Sequence, residues 1–213
     1  MSYPVYTRSE RIADVAIHVL GVVAALVGVC IIFKNFSGQM TGVTFAATCV
    51  YSAALVSMLT ASAVYHIAAY TPARPILRRI DHAAIYFKIA GTFTPLSVVL
   101  NTTFGYVVLA CVWALALTGA ASKLRAAPGR MTTGWFPYVA LGWIGIAIFI
   151  PLVEKLPFYS TSLVVAGGLI YTAGVIFYSW EGLRYATAIW HGFVLIASTC
   201  LFFAVSSALA VAG

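Results

Sequence analysis

The chain has 213 residues, 62% hydrophobic and 8% charged, with a formal charge of +7 and a mean hydropathy of +1.00. So little charge over that length excludes an ordinary water-soluble domain. Long apolar runs fill nearly the whole chain and are continuous rather than alternating, which argues for a helical polytopic membrane protein and against a transmembrane barrel.

The apolar runs predict seven spans in one all-α domain over residues 1–213. In chain order they are 12–33, 41–69, 82–100, 104–122, 134–153, 160–180 and 186–211, each near the roughly 20 residues a bilayer core requires. The first eleven residues are polar and mixed, and the first apolar run is long enough to span, so the N-terminus does not read as a cleaved signal. Breaker residues mark the connectors: Asn35 to Gly42, Thr71 to Pro75, Asn101 to Gly105, Pro128 to Gly134, and Leu156-Pro157. The second run is long for one span and is expected to tilt or to extend past the bilayer.

Lysine and arginine placement sets the expected orientation. Arg8, Arg11, Arg74, Arg78, Arg79, Lys123, Arg125, Arg130 and Arg184 fall on one side, against Lys34 and Lys155 on the other, with Lys88 inside the third span. This asymmetry predicts a cytoplasmic N-terminus and an external C-terminus. The basic excess, which in a soluble protein would suggest nucleic acid, therefore reports topology, and no nucleic-acid partner is expected. Cys30, Cys49, Cys111 and Cys200 lie in apolar runs without metal-type spacing and read as small buried helix residues.

The rare polar residues gather at the positive side. Glu10, Asp14 and His18 open the first span, Ser62 and His66 close the second, Asp81 and His82 open the third, and His191 lies in the first turns of the seventh. Ionisable groups in apolar segments are expensive to place, so each is a functional candidate. Glu154 and Glu181 sit at helix ends and read as solvated or interfacial. Histidine and carboxylate at one depth on different helices is how a bundle builds a metal site. Ser62 and His66 are four apart and share a helix face, as do Thr187 and His191. His66, His191 and Asp81 would form a two-histidine, one-carboxylate set suited to zinc with an open position, or to iron. Spacing alone leaves a plain alternative, in which these histidines hydrogen-bond neighbouring backbone or serine. His82 follows Asp81 directly and points to another face, toward headgroups or a neighbouring helix. Glu10 reads as a helix-start charge, Asp14 as the partner of a group inside the bundle, and His18 as either a packing residue or a support to the metal ligands.

Ser62-Ala63-Val64-Tyr65-His66, Arg79-Ile80-Asp81-His82-Ala83-Ala84-Ile85-Tyr86 with Gly91-Thr92-Phe93-Thr94-Pro95, Leu141-Gly142-Trp143, Gly167 to Gly174, and Trp190-His191-Gly192-Phe193 resemble the motifs of the hemolysin III family. That family is the bacterial branch of the adiponectin-receptor-like proteins, and the resemblance covers nearly the whole chain. It implies seven helices, a cytoplasmic N-terminus, a multi-pass location in a bacterial inner membrane, and a zinc site near the cytoplasmic face. Carried over, His66 and His191 are metal ligands, with Asp81 and Ser62 holding water nearby. The wider superfamily includes alkaline ceramidases, which implies hydrolysis of a lipid amide or ester, with membrane lipids as partners and substrate. The family name also carries a pore-forming, cytolytic reading, and a non-catalytic, receptor-like regulator of membrane lipids is a third.

The chain departs from the family pattern at several positions. The first histidine of the seventh span is replaced by Thr187, a later one by Leu201, and the usual asparagine of the first span by Asp14. Lys88 stands where an apolar residue is usual, seven residues after Asp81 and roughly 10 Å along the same helix face. Two expectations follow. Either His66, His191 and Asp81 keep the metal, or the metal is weakened and Asp14 offsets Lys88 in a polar core, as an ion pair.

Overall fold

A computed structural model describes residues 6–127, 134–180 and 182–212. They form eight helical segments: α1 (Arg8–Phe36), α2 (Gly42–Ile67), α3 (Arg74–Leu100), α4 (Thr103–Arg125), α5 (Phe136–Trp143), α6 (Ile146–Lys155), α7 (Phe158–Tyr178) and α8 (Ala186–Ala212). Taken together as Phe136–Lys155, α5 and α6 make one span, so seven helices among the described residues are long and apolar enough to cross a membrane. Arg130, Glu181 and the connector from Pro128 to Thr133 lie outside the described residues.

Local chemistry explains most helix ends. Thr7 caps α1 in a reciprocal capping box, its hydroxyl accepting from the Glu10 N–H while the Glu10 carboxylate accepts from the Thr7 N–H. Thr41 and Thr102 cap α2 and α4 through the N–H groups of Thr44 and Gly105. Asn101, at φ 50°, closes α3 in the left-handed conformation that asparagine tolerates.

Two boundaries differ from the sequence reading. The third helix starts at Arg74, about two turns before residue 82, with Pro75 in its first turn. Apolarity marks only the buried stretch, whereas Arg74, Arg78 and Arg79 ride on the same helix beyond it. The fifth span is not continuous. The N–H groups of Ile144 and Gly145 bond Leu141 and Gly142, three residues back, and this tighter turn separates α5 from α6. Pro151 removes a further backbone donor within α6. Apolarity does not register such a break.

The bundle is built around α3, whose apolar window is 78% buried. It packs against α2, α4, α5, α6 and α8, while α1 lies between α2 and α8, and α7 pairs with α8. Between helices in lipid, close approach and interhelical hydrogen bonds replace the hydrophobic drive. The buried face of α1 accordingly runs Gly21, Ala25, Gly28 and Ile32, while Val19, Leu20, Val23, Leu26 and Val27 point outward. A Cβ on Gly91 would meet the Ala54 Cβ at 2.5 Å, which shows how tightly α3 and α2 approach. Trp113 Nε1 donates to Thr94 at 3.1 Å, Tyr171 and Ser198 hydroxyls pair at 2.7 Å, and Ser160 donates to Ser207 at 2.7 Å. Lys155 Nζ reaches the carbonyl of Leu100 at 2.9 Å, satisfying the last turn of α3 from α6.

The cysteines correct one expectation. Cys30, Cys49 and Cys111 are exposed on the outer surface and Cys200 is half-buried. In a helix that faces lipid, an apolar thiol has no need of burial.

Candidate metal centre

Four helices bring the site together. His18 comes from α1, His66 from the last turn of α2, and His191 from the first turns of α8. The ligand nitrogens of these three histidines lie within 4.8 Å of one another. The rings of His18 and His66 stack at 4.8 Å, and His191 meets both edge-on at 4.2 and 4.5 Å. From α3, Asp81 is buried at 8% exposure beside Ser62 and within electrostatic reach of His66.

Asp14 is the hub of the cluster. Its carboxylate accepts from His66 Nδ1 at 2.9 Å through Oδ2 and from His191 Nδ1 at 2.8 Å through Oδ1. Its backbone carbonyl accepts from His18 Nδ1 at 2.7 Å, one turn along α1. All three Nδ1 atoms thus act as donors to one residue, which leaves Nε2 as the nitrogen of each ring that could offer a lone pair. His18 Nε2 meets the Ser62 hydroxyl at 3.2 Å. A carboxylate behind a histidine, orienting the ring and raising its basicity, is the usual companion of a histidine metal ligand.

The donor set fits zinc. Three imidazoles on separate helices, with one ring nitrogen of each within 4.8 Å of the others, are the kind of donor set a catalytic zinc site uses, which takes three protein ligands and keeps an open position. The sequence reading set His66 and His191 as ligands with Asp81. The structure brings the two histidines together but completes the nitrogen trio with His18, and Asp81 stands next to that trio beside Ser62. His18 and Asp14 were legible in sequence as polar residues at the right depth, but nothing in their spacing showed three rings turning toward one carboxylate.

The remaining candidates fall outside the trio. Thr187 is one turn before His191 and pairs with the Tyr6 hydroxyl at 2.8 Å. His82 Nδ1 bonds the Tyr138 hydroxyl of α5 at 3.1 Å, on the neighbouring-helix side expected of it. Glu10, besides closing the capping box, accepts from the Tyr185 N–H at 3.1 Å. Lys88 is buried at 4% exposure with its Nζ 4.3 Å from the centre of the Tyr171 ring. The expected Asp14–Lys88 ion pair does not form. The Asp14 carboxylate is taken up by hydrogen bonds from His66 and His191, and Lys88 uses an aromatic face instead.

Two cavities adjoin the cluster. The larger, about 150 Å³, opens at the N-terminal face and has Asp14 and His66 in its wall. The smaller, about 20 Å³, touches His18, Ser62 and His191, with Met58, Leu59 and Val194 as apolar walls. It has room for a single water with polar partners.

Residues 6–202 match the family model described as "Haemolysin-III related". The chain is 34% identical over 204 residues to a hemolysin-3 homolog of Bacillus subtilis, covering 94% of each chain. It is 33% identical over 197 residues to hemolysin-3 of Bacillus cereus, covering 92% of this chain and 90% of that protein.

Proposed function

We propose that this chain, which belongs to the haemolysin-III-related family and is a multi-pass integral membrane protein, is a zinc-dependent hydrolase of a lipid amide or ester. The observation that carries this reading is the convergence of His18, His66 and His191 from three helices, each held through Nδ1 by Asp14. His18, His66 and His191 would hold the metal. Zinc bound there supplies Lewis-acid polarisation of an acyl carbonyl and of a water.

The other residues have distinct tasks. Asp14 fixes the three rings so that no reorganisation is needed on binding. The water-sized space lined by His18, Ser62 and His191 would seat a nucleophilic water beside the Ser62 hydroxyl, and Asp81 adjoins that same serine. Asp81, linked to that water through Ser62, would orient it and take its proton as a carboxylate general base. Ser62 donates to the oxygen that gains negative charge on the acyl carbon.

The name of the Bacillus cereus relative speaks of lysis by that protein. A pore would need a polar lining through the full depth of the bundle. Here the interior beyond the histidines holds fully buried Tyr51, Ile32, Val112 and Val205, which supports a closed core. The test is hydrolysis of fluorogenic ceramide-like and acyl-ester lipids by purified protein reconstituted with zinc. Release of fatty acid that is lost in Asp81→Ala and Ser62→Ala supports the reading. Dye leakage from liposomes without hydrolysis would replace it with the pore.

A further inference from the structure

The larger cavity has a mouth that the hydrolytic residues do not use. Two of its lining residues, Tyr70 after α2 and Tyr185 before α8, each carry an arginine on the ring. The Arg11 guanidinium lies 4.6 Å above Tyr70, and that of Arg184 lies 5.1 Å above Tyr185. Arg11 also lines the cavity itself. Among the described residues neither guanidinium is within ion-pair distance of a carboxylate.

The acids of the same cavity are already engaged. Glu10 is held by Thr7 and by the Tyr185 N–H, and Asp14 by His66 and His191. Among the described residues the hydrogen-bonding edges of the two arginines meet no carboxylate, Arg184 acting on Glu10 only through space, while their faces lie on aromatic rings. The Tyr185 backbone strengthens this reading. It sits at φ 62°, a left-handed conformation that is unfavourable for a bulky residue and persists only where the surroundings enforce it. The Tyr185 N–H donates to Glu10 at this turn, next to the ring that carries Arg184.

We propose that Arg11 and Arg184 bind a phosphate group at the mouth of this cavity, and that the substrate is a phosphate-bearing lipid whose acyl linkage lies toward the histidines. The planar guanidinium fork matches phosphate in a bidentate manner, and stacking pre-organises it. A face carrying Arg8, Arg11, Arg74, Arg78, Arg79 and Arg184 also draws anionic headgroups. The assignment of the phosphate to a substrate rests on the hydrolase reading, whereas the phosphate site stands without it.

The test is titration calorimetry on full-length protein in a neutral maltoside detergent. The probes are dihexanoyl phosphatidic acid, inorganic phosphate and dihexanoylglycerol, which lacks phosphate. The expected result is saturable binding of the phosphatidic acid, weakened at least about tenfold in Arg11→Gln/Arg184→Gln and unchanged in Arg125→Gln. Arg11→Lys keeps the charge without the fork and is expected to weaken binding as well, which guards against a double variant that fails to fold. Equal affinity for inorganic phosphate would keep the site but overturn its assignment to a lipid. Equal binding of dihexanoylglycerol, or wild-type affinity in the double variant, would overturn the proposal. Because the readout is binding, a protein that lacks zinc or turnover but still binds phosphate through these arginines refutes the hydrolase reading alone.

Discussion

Replacing Asp14 by alanine removes the acceptor for two short, largely shielded hydrogen bonds at 2.9 and 2.8 Å, from His66 and His191. Losing one carboxylate behind a metal-ligating histidine costs about 10- to 100-fold in metal affinity. Asp14 serves two such rings through separate oxygens, so the upper end applies, about 100-fold or 2.7 kcal/mol. Asp14→Asn is intermediate, because its amide keeps one oxygen acceptor but presents an N–H₂ to the second ring. One imidazole then holds its tautomer and the other does not, and a loss of about tenfold is expected. Chelator competition on detergent-purified protein measures both affinities, with a thermal melt alongside, since the orphaned Nδ1–H donors also cost about 1–3 kcal/mol each if left buried. An Asp14→Ala protein that binds zinc within about threefold of the parent would refute the hub role.

Other consequences follow from the same contacts. Gly91→Ala drives a methyl into the Ala54 Cβ and is expected to lower stability by about 1–3 kcal/mol, whereas Gly168→Ala, with no atom within 4 Å of the new methyl, is expected to be neutral; thermal melts compare them. Lys88→Met removes a buried amine seated on the Tyr171 ring, so the melting temperature is expected to hold or rise, and a marked fall would reveal a partner for Lys88 other than that ring. Ser62→Ala is expected to lower turnover by about 10²-fold with zinc content intact, as loss of one oxyanion donor does, and loss of zinc along with turnover would make Ser62 structural.

How much of this was legible in the sequence depends on the kind of signal. The seven spans were, because about 20 apolar residues leave one option in a bilayer. The break at Ile144-Gly145 was not, since apolarity is unchanged across it and a switch of hydrogen bonds from four to three residues back leaves no mark in hydropathy. His66 and His191 stood out because histidine at matching depth is rare in apolar helices. His18 and Asp14 were visible at that depth too, but their roles depend on how α1 is rotated between α2 and α8. That rotation follows from the small-residue face of Gly21, Ala25 and Gly28, a tertiary matter. Lys88 misled for a related reason. Opposite charges in an apolar chain invite pairing, yet three imidazoles lay nearer to Asp14, and an aromatic face was at hand for the lysine.

The central claim is that three histidines hold a metal, and elemental analysis of detergent-purified protein tests it most directly, with His18→Ala, His66→Ala and His191→Ala in parallel. The account predicts about one zinc per chain in the parent and its loss in each of the three variants. A parent that takes up no zinc when it is supplied, or a His18→Ala protein that keeps its zinc while His66→Ala loses it, would contradict the three-histidine centre.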